Sequence, residues 1–136
     1  MSYTLDDWTT TENGSGAVDR SSINNGGSYS ADLYTPAGAG NTVSILQSVS
    51  LAVGTNVKLS LDVRCDTAAR TIVIYSADPT GGVGTLFETY SIVAKDTWYT
   101  KTYDFIWTAD DNAVFIGTNS NGHFYIDNVK LEPYYT

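Results

Sequence analysis

The stretch His123-Phe124-Tyr125-Ile126-Asp127-Asn128-Val129-Lys130-Leu131-Glu132 changes phase in its middle. Phe124 and Ile126 alternate with polar neighbours, so they point to one face of a strand. Val129 and Leu131 alternate as well, but one residue out of step. Side chains along a strand repeat every two residues, so a straight strand cannot bury both pairs on one side. One extra residue at Asp127-Asn128, a β-bulge, restores the register. Such a bulge re-aims the Asp127 carboxylate near the end of the strand, and a hard cation is one target for a carboxylate so placed.

The same alternation recurs toward the N-terminus. Val57, Leu59, Leu61 and Val63 alternate with Lys58, Ser60, Asp62 and Arg64, the clearest amphipathic strand in the chain. Further strands are expected at Tyr3 to Trp8, Ala17 to Ser21, Ser28 to Tyr34, Val43 to Leu51, Arg70 to Ser76, Thr85 to Val93, Trp98 to Trp107 and Ala113 to Thr118. Between them stand turn signals rich in residues that tolerate positive φ, such as Asn24-Asn25-Gly26-Gly27 and Asn119-Ser120-Asn121-Gly122. Thr9 to Gly16, Thr35 to Asn41 and Pro79 to Gly84 read as loops, and Glu132 to Thr136 as a tail. No helical periodicity is present. About ten short strands without an internal repeat predict an all-β fold: an antiparallel two-sheet β-sandwich, a jelly roll.

Composition narrows the function. A chain of 136 residues is the size of one domain, expected over residues 1–136, and 42% hydrophobic residues suffice for a core. Fifteen acidic against seven basic residues leave a net charge of -8. That excludes the basic footprint of nucleic-acid binders and of proteins drawn to anionic membranes. No apolar run approaches membrane-spanning length. With one cysteine, Cys65, no internal disulfide can form. The only histidine, His123, lies beside a turn, no Ser sits in a GxSxG elbow, and no Cys/His cluster could hold zinc. The expectation is a protein that is not an enzyme.

Several segments in their order resemble non-catalytic carbohydrate-binding modules of the four/nine/sixteen/twenty-two group. They are Leu46-Gln47-Ser48-Val49-Ser50-Leu51, Gly54-Thr55, Leu59-Ser60-Leu61-Asp62-Val63-Arg64, Trp98 with Phe105, and Phe124-Tyr125-Ile126-Asp127-Asn128-Val129-Lys130-Leu131, with a weaker match at Leu5-Asp6 and Gly27-Ser28. The resemblance implies a galactose-binding-like jelly roll that binds polysaccharide or another glycan. It implies a place within a larger multidomain protein or assembly and an extracellular location: secreted, at a cell surface or on a virion surface. It also implies a structural calcium held by Asp6, the Gly27 carbonyl and Asp127. In that family one sheet face grips the ligand. Pyranose rings carry an apolar face that stacks on aromatic rings, and their hydroxyls need fixed polar partners. On this chain the resemblance points to Tyr34, Asp62, Arg64, Tyr75, Phe115 and Asn119, each on an outward row or bordering a loop. At family positions that carry ligand contacts stand Ala113 and Gly117.

Two other functions stay open. One is a structural or adhesive jelly roll in a phage tail, receptor-binding or surface protein, which the richness in Ser, Thr, Asn and Gly suits. The other, a glycan-acting enzyme, needs two carboxylates facing each other roughly 5–9.5 Å apart.

Overall fold

The computed structural model describes residues 8–26, 30–38, 40–82 and 84–134. Among them the chain forms strands β1 (Thr9–Asn13), β2 (Ala17–Ser21), β3 (Ser30–Thr35), β4 (Thr42–Ser48), β5 (Asn56–Cys65), β6 (Thr71–Tyr75), β7 (Leu86–Ser91), β8 (Tyr99–Ile106), β9 (Ala113–Thr118) and β10 (Gly122–Tyr134), with a short 3-10 turn at Pro79–Gly81. The strands make two five-stranded antiparallel sheets. The first has the order β1-β4-β9-β6-β7 and the second β2-β3-β10-β5-β8. The chain passes repeatedly from one layer to the other, as a jelly roll requires. Among the described residues only β2–β3 and β6–β7 are successive strands paired within one sheet.

The alternation of β5 translates directly into layers. Val57, Leu59, Leu61, Val63 and Cys65 are at most 1% exposed and face the first sheet, whereas Lys58 is exposed. Each fully buried aliphatic contributes about 1.5–3 kcal/mol relative to exposure. From the opposite layer come Ile45, Ile72, Ile74 and Ile116, all at 0% exposure. Cys65 lies in this core, where burial pushes its thiol up to about 11.

The bulge sits at Asp127-Asn128. β10 pairs β5 through Asp127↔Asp62 and then Lys130↔Ser60, so two residues of β10 oppose one of β5. Asn128 has φ 51, the left-handed conformation that lets a bulge turn sharply. Phe124 and Ile126 are fully buried before it, and Val129 and Leu131 pack on the same core after it.

At the β7–β8 edge the layers are joined by half-buried aromatic rings. Phe87 meets Phe105 at 4.5 Å and Tyr103 at 5.5 Å between centroids. Lys101 reaches Glu88 at 3.1 Å and sits 4.1 Å over the Tyr90 ring. Tyr103 donates its hydroxyl to the same carboxylate at 2.7 Å. Burial first, then that hydrogen bond, push the Tyr103 hydroxyl well above its ordinary range.

Two local expectations change. Thr9–Asn13, expected as loop, is the edge strand β1, paired with β4 from Thr9↔Leu46 to Asn13↔Thr42. All five residues are exposed, so no alternation marks them. The expected tail from Glu132 continues as strand to Tyr134, pairing Pro133↔Val57. Among the described residues β3 pairs β10 only over Gly122–Ile126, and Pro133, which has no N–H to give a ladder, stands beyond that pairing. Most of the strand expected at Tyr3 to Trp8 lies outside the described residues.

Candidate functional site

On the outward side of the first sheet, residues from different strands line up in rows. Leu46, Phe115 and Tyr75 lie directly opposite one another across β4, β9 and β6. The next row runs Thr11, Ser44, Gly117, Val73 and Thr89 across all five strands. Beyond it come Asn13, Thr42 and Thr71, with Asn119 just past the end of β9. A row of small residues beside a row of large ones makes a groove that crosses the strands. Four inter-strand gaps of about 4.8 Å give it a reach of about 19 Å. The cavity there measures about 380 Å³, and Phe115, Gly117, Val73, Ser44 and Asn119 are among its walls.

The chemistry of this groove is neutral. Among its described lining residues only Asp78 is charged, and one oxygen of that carboxylate already accepts the N–H of Thr80 at 2.9 Å and its hydroxyl at 2.8 Å. The other polar groups are hydroxyls, such as Thr11, Thr42, Ser44, Thr71 and Thr89, and the amides of Asn13 and Asn119. Phe115 supplies the one aromatic ring of the described lining. Tyr75 stands behind it, edge to face, with centroids 6.2 Å apart and planes at 80°. One apolar plate among neutral donors and acceptors is what a sugar ring and its hydroxyls require.

The outward side of the second sheet differs in kind. Tyr34 stacks on His123 at 4.3 Å, and His123 lies parallel to Tyr125 at 6.1 Å. Asp32 holds His123 Nδ1 at 2.8 Å. Burial raises the Asp32 carboxyl above its ordinary value, although the bond to His123 acts the other way. Arg64 pairs with Asp96 at 3.6 Å. Along the same face Asp62 and Asp127 lie directly opposite each other. Like charges so placed repel, and here neutral groups are set around them. Asp127 is 0% exposed and accepts the backbone N–H groups of Asn25 at 2.7 Å and Asn128 at 2.8 Å. Asp62 accepts the side-chain amides of Asn25 at 3.1 Å and Asn128 at 2.8 Å, and the Thr100 hydroxyl at 2.6 Å.

The residues singled out from the sequence therefore fall into two sets. Tyr75, Phe115 and Asn119 share the outward side of the first sheet. Tyr34, Asp62 and Arg64 stand on the outward side of the second, with the whole core between, so the six cannot form one groove. Tyr34 has its ring against His123, and Asp62 and Arg64 are engaged with their neighbours. Of the metal candidates, Asp6 and Gly27 lie outside the described residues. Among the described residues no cluster of three potential metal-ligating side chains forms, and each oxygen of Asp127 already accepts one backbone N–H, but no basic side chain is paired to it, so it remains an all-oxygen donor. That donor chemistry fits a hard cation. Sequence reasoning passed over the hydroxyl row Thr11, Ser44 and Thr89, and took Gly117 as a missing contact. These positions are scattered over four strands and become neighbours only through strand pairing.

No protein-family model and no curated protein matches the sequence. Solved structures do match. The CBM22-2 xylan-binding domain of Paenibacillus barcinonensis Xyn10C superposes with a TM-score of 0.71 at 16% identity, over 96% of this chain and 94% of that one. TmCBM61, solved with β-1,4-galactotriose, gives a TM-score of 0.69 at 14% identity, over 96% and 90%. The enzymatically active domain of tailspike protein 4 from bacteriophage CBA120 gives 0.68 at 18% identity, over 96% of this chain but only 20% of that one. At these identities the likeness establishes a shared fold, the jelly-roll β-sandwich of carbohydrate-binding modules.

Proposed function

We propose that this chain is a non-catalytic module that binds uncharged polysaccharide or oligosaccharide chains in the groove on the first sheet. The single observation that carries this reading is the Phe115 ring set in a groove whose other polar lining groups are nearly all hydroxyls and amides. An acidic glycan would find no basic partner among the described lining residues, so neutral sugars are the ligand class. Hydrolysis by a pair of carboxylates would need a second one beside Asp78, and none lines the groove among the described residues. The whole-length likeness to modules whose names record xylan and β-1,4-galactotriose supports the same reading. Asp127, with Asp6 and the Gly27 carbonyl, would hold a structural calcium, which would stiffen the fold and take no part in sugar contact. The module works outside the cell, joined to a larger protein.

The decisive experiment is affinity electrophoresis in gels of xylan, β-1,4-galactan and polygalacturonate. The wild-type chain is retarded by a neutral gel and not by polygalacturonate. Phe115→Ala weakens retention at least tenfold, about 1.4 kcal/mol. Unchanged retention of Phe115→Ala, or retention by the acidic gel alone, overturns the proposal.

A second reading has one observation in its favour: the chain matches a fifth of a phage tailspike domain. In that reading the jelly roll is a structural or adhesive part of a virion surface protein. The two readings separate in the same gels, since a purely structural part is retarded by none of them.

A further inference from the structure

Gly117 breaks a local rule. It sits within β9, one residue from its end, in the central strand of the first sheet, where glycine weakens a strand by adding backbone freedom and removing packing. Its φ is not in the left-handed region, so the backbone does not ask for glycine. The space above it does. A β carbon built on Gly117 would lie 2.9 Å from both Cε1 and Cζ of Phe115, and 3.1 Å from Cβ of Ser44. Real β carbons essentially never approach another heavy atom closer than 3.0 Å. The ring of Phe115 therefore leans along its own strand and covers the Gly117 backbone. On the other side, the ring of Tyr75 meets it edge to face and limits its swing.

We infer that Gly117 is a positioning residue for ligand: its bare α carbon lets the Phe115 ring lie down as a plate on the floor of the groove. This deepens the sugar-binding reading above and rests on it. With any side chain at 117 the ring would have to lift, and the plate would become a ridge across the groove. A lying ring turns a face toward the ligand, and the apolar face of a pyranose needs a face to stack on. Ser44 and Val73, on either side of the covered Gly117, then form the floor on which the adjoining part of a neutral chain rests. The position read from sequence as lacking a contact is thus the one that makes the contact of its neighbour.

The test is titration calorimetry with xylohexaose and with β-1,4-galactotriose, on wild type, Gly117→Ala, Phe115→Leu and the double variant, each with a thermal melt. In parallel, the Gly117 α-proton resonances report whether a ring lies over them, through upfield ring-current shifts that vanish in Phe115→Leu. Gly117→Ala is expected to keep the wild-type melting temperature while binding at least tenfold more weakly. In the Phe115→Leu background the same substitution is expected to change affinity less than twofold, because the plate is already gone. Wild-type affinity in Gly117→Ala overturns the inference. So does an undiminished further loss in the double variant, which would make Gly117 act through ligand space alone, and so does the absence of the ring-current shift. A wild-type chain that binds neither oligosaccharide, and is retarded by no neutral gel, overturns the sugar-binding reading itself. That result is distinct from the first three, which leave that reading standing.

Discussion

The outward faces of the two sheets are built from the same alternation and put to opposite uses. On the first sheet the outward row is short hydroxyls around one ring, with few bonds among themselves, so the donors and acceptors stay available. On the second, most outward polar groups are already engaged with another: Asp32 with His123, Asp62 and Asp127 with Asn25 and Asn128, and Arg64 with Asp96 through one nitrogen, while its buried Nε has no partner among the described residues. A side chain already satisfied by its neighbour stiffens the fold but has little left for a ligand. A surface meant to bind must leave its hydrogen-bonding capacity open, and water fills that role cheaply until a ligand arrives. On the proposed reading, the charged face, which looks richer in chemistry, is the structural one, although on the first face too one pair is engaged, Asn13 with Thr42 at 2.8 Å.

The largest effect that would sharpen this contrast is expected at Asp127. Its carboxylate is fully buried and accepts two backbone N–H groups. Asp127→Ala leaves both donors unpaired at about 1–3 kcal/mol each, so urea unfolding should show a loss of about 3 kcal/mol. Sugar retention per folded molecule should be unchanged. A variant with wild-type stability would remove the clamp role from this face. Chelation comes next. Calcium at a hundredfold excess over its dissociation constant stabilises by about 2.7 kcal/mol, so adding EDTA should lower the melting temperature by several degrees, and a melt that does not move in EDTA removes the metal. Tyr75→Ala should act more gently on the other face. It takes away an edge-to-face contact worth about 0.5–1.5 kcal/mol and loosens Phe115, so affinity for a neutral oligosaccharide should fall three- to tenfold in calorimetry; no change would mean that the ring of Phe115 needs no brace. The smallest effect belongs to Arg64→Ala. Its pair with Asp96 is 3.6 Å long and part-exposed, a geometry worth about 0–1 kcal/mol. Both stability and retention should stay close to wild type, and a loss of retention would place ligand on the second face and break the comparison.

How legible the chain was varies with how far each feature reaches. The bulge at Asp127-Asn128 was visible because its signal is a phase slip within ten residues. The buried row of β5 was visible because four aliphatics alternate without a gap. β1 was invisible, since Thr9–Asn13 is exposed on both sides and nothing in it distinguishes a strand from a loop. The groove was visible only in fragments. Alternation marks Tyr34, Arg64, Tyr75 and Phe115 equally as outward rings and charges, and nothing local says that Tyr34 and Phe115 look away from each other.

What the amino-acid order determined by itself is what can be read within one strand or summed over the chain: which side chains turn inward, where the register slips, that the chain is all β, and that its net charge is negative. What only the tertiary structure decided is which strands became neighbours. Sheet membership depends on pairings between residues as distant as Thr11 and Ser44 or Ser44 and Gly117. A period-two pattern is the same whichever partner a strand takes. Only pairing brings a glycine, a ring and a row of hydroxyls onto one floor, and puts Asp32, Asp62 and Asp127 on the other side of the core.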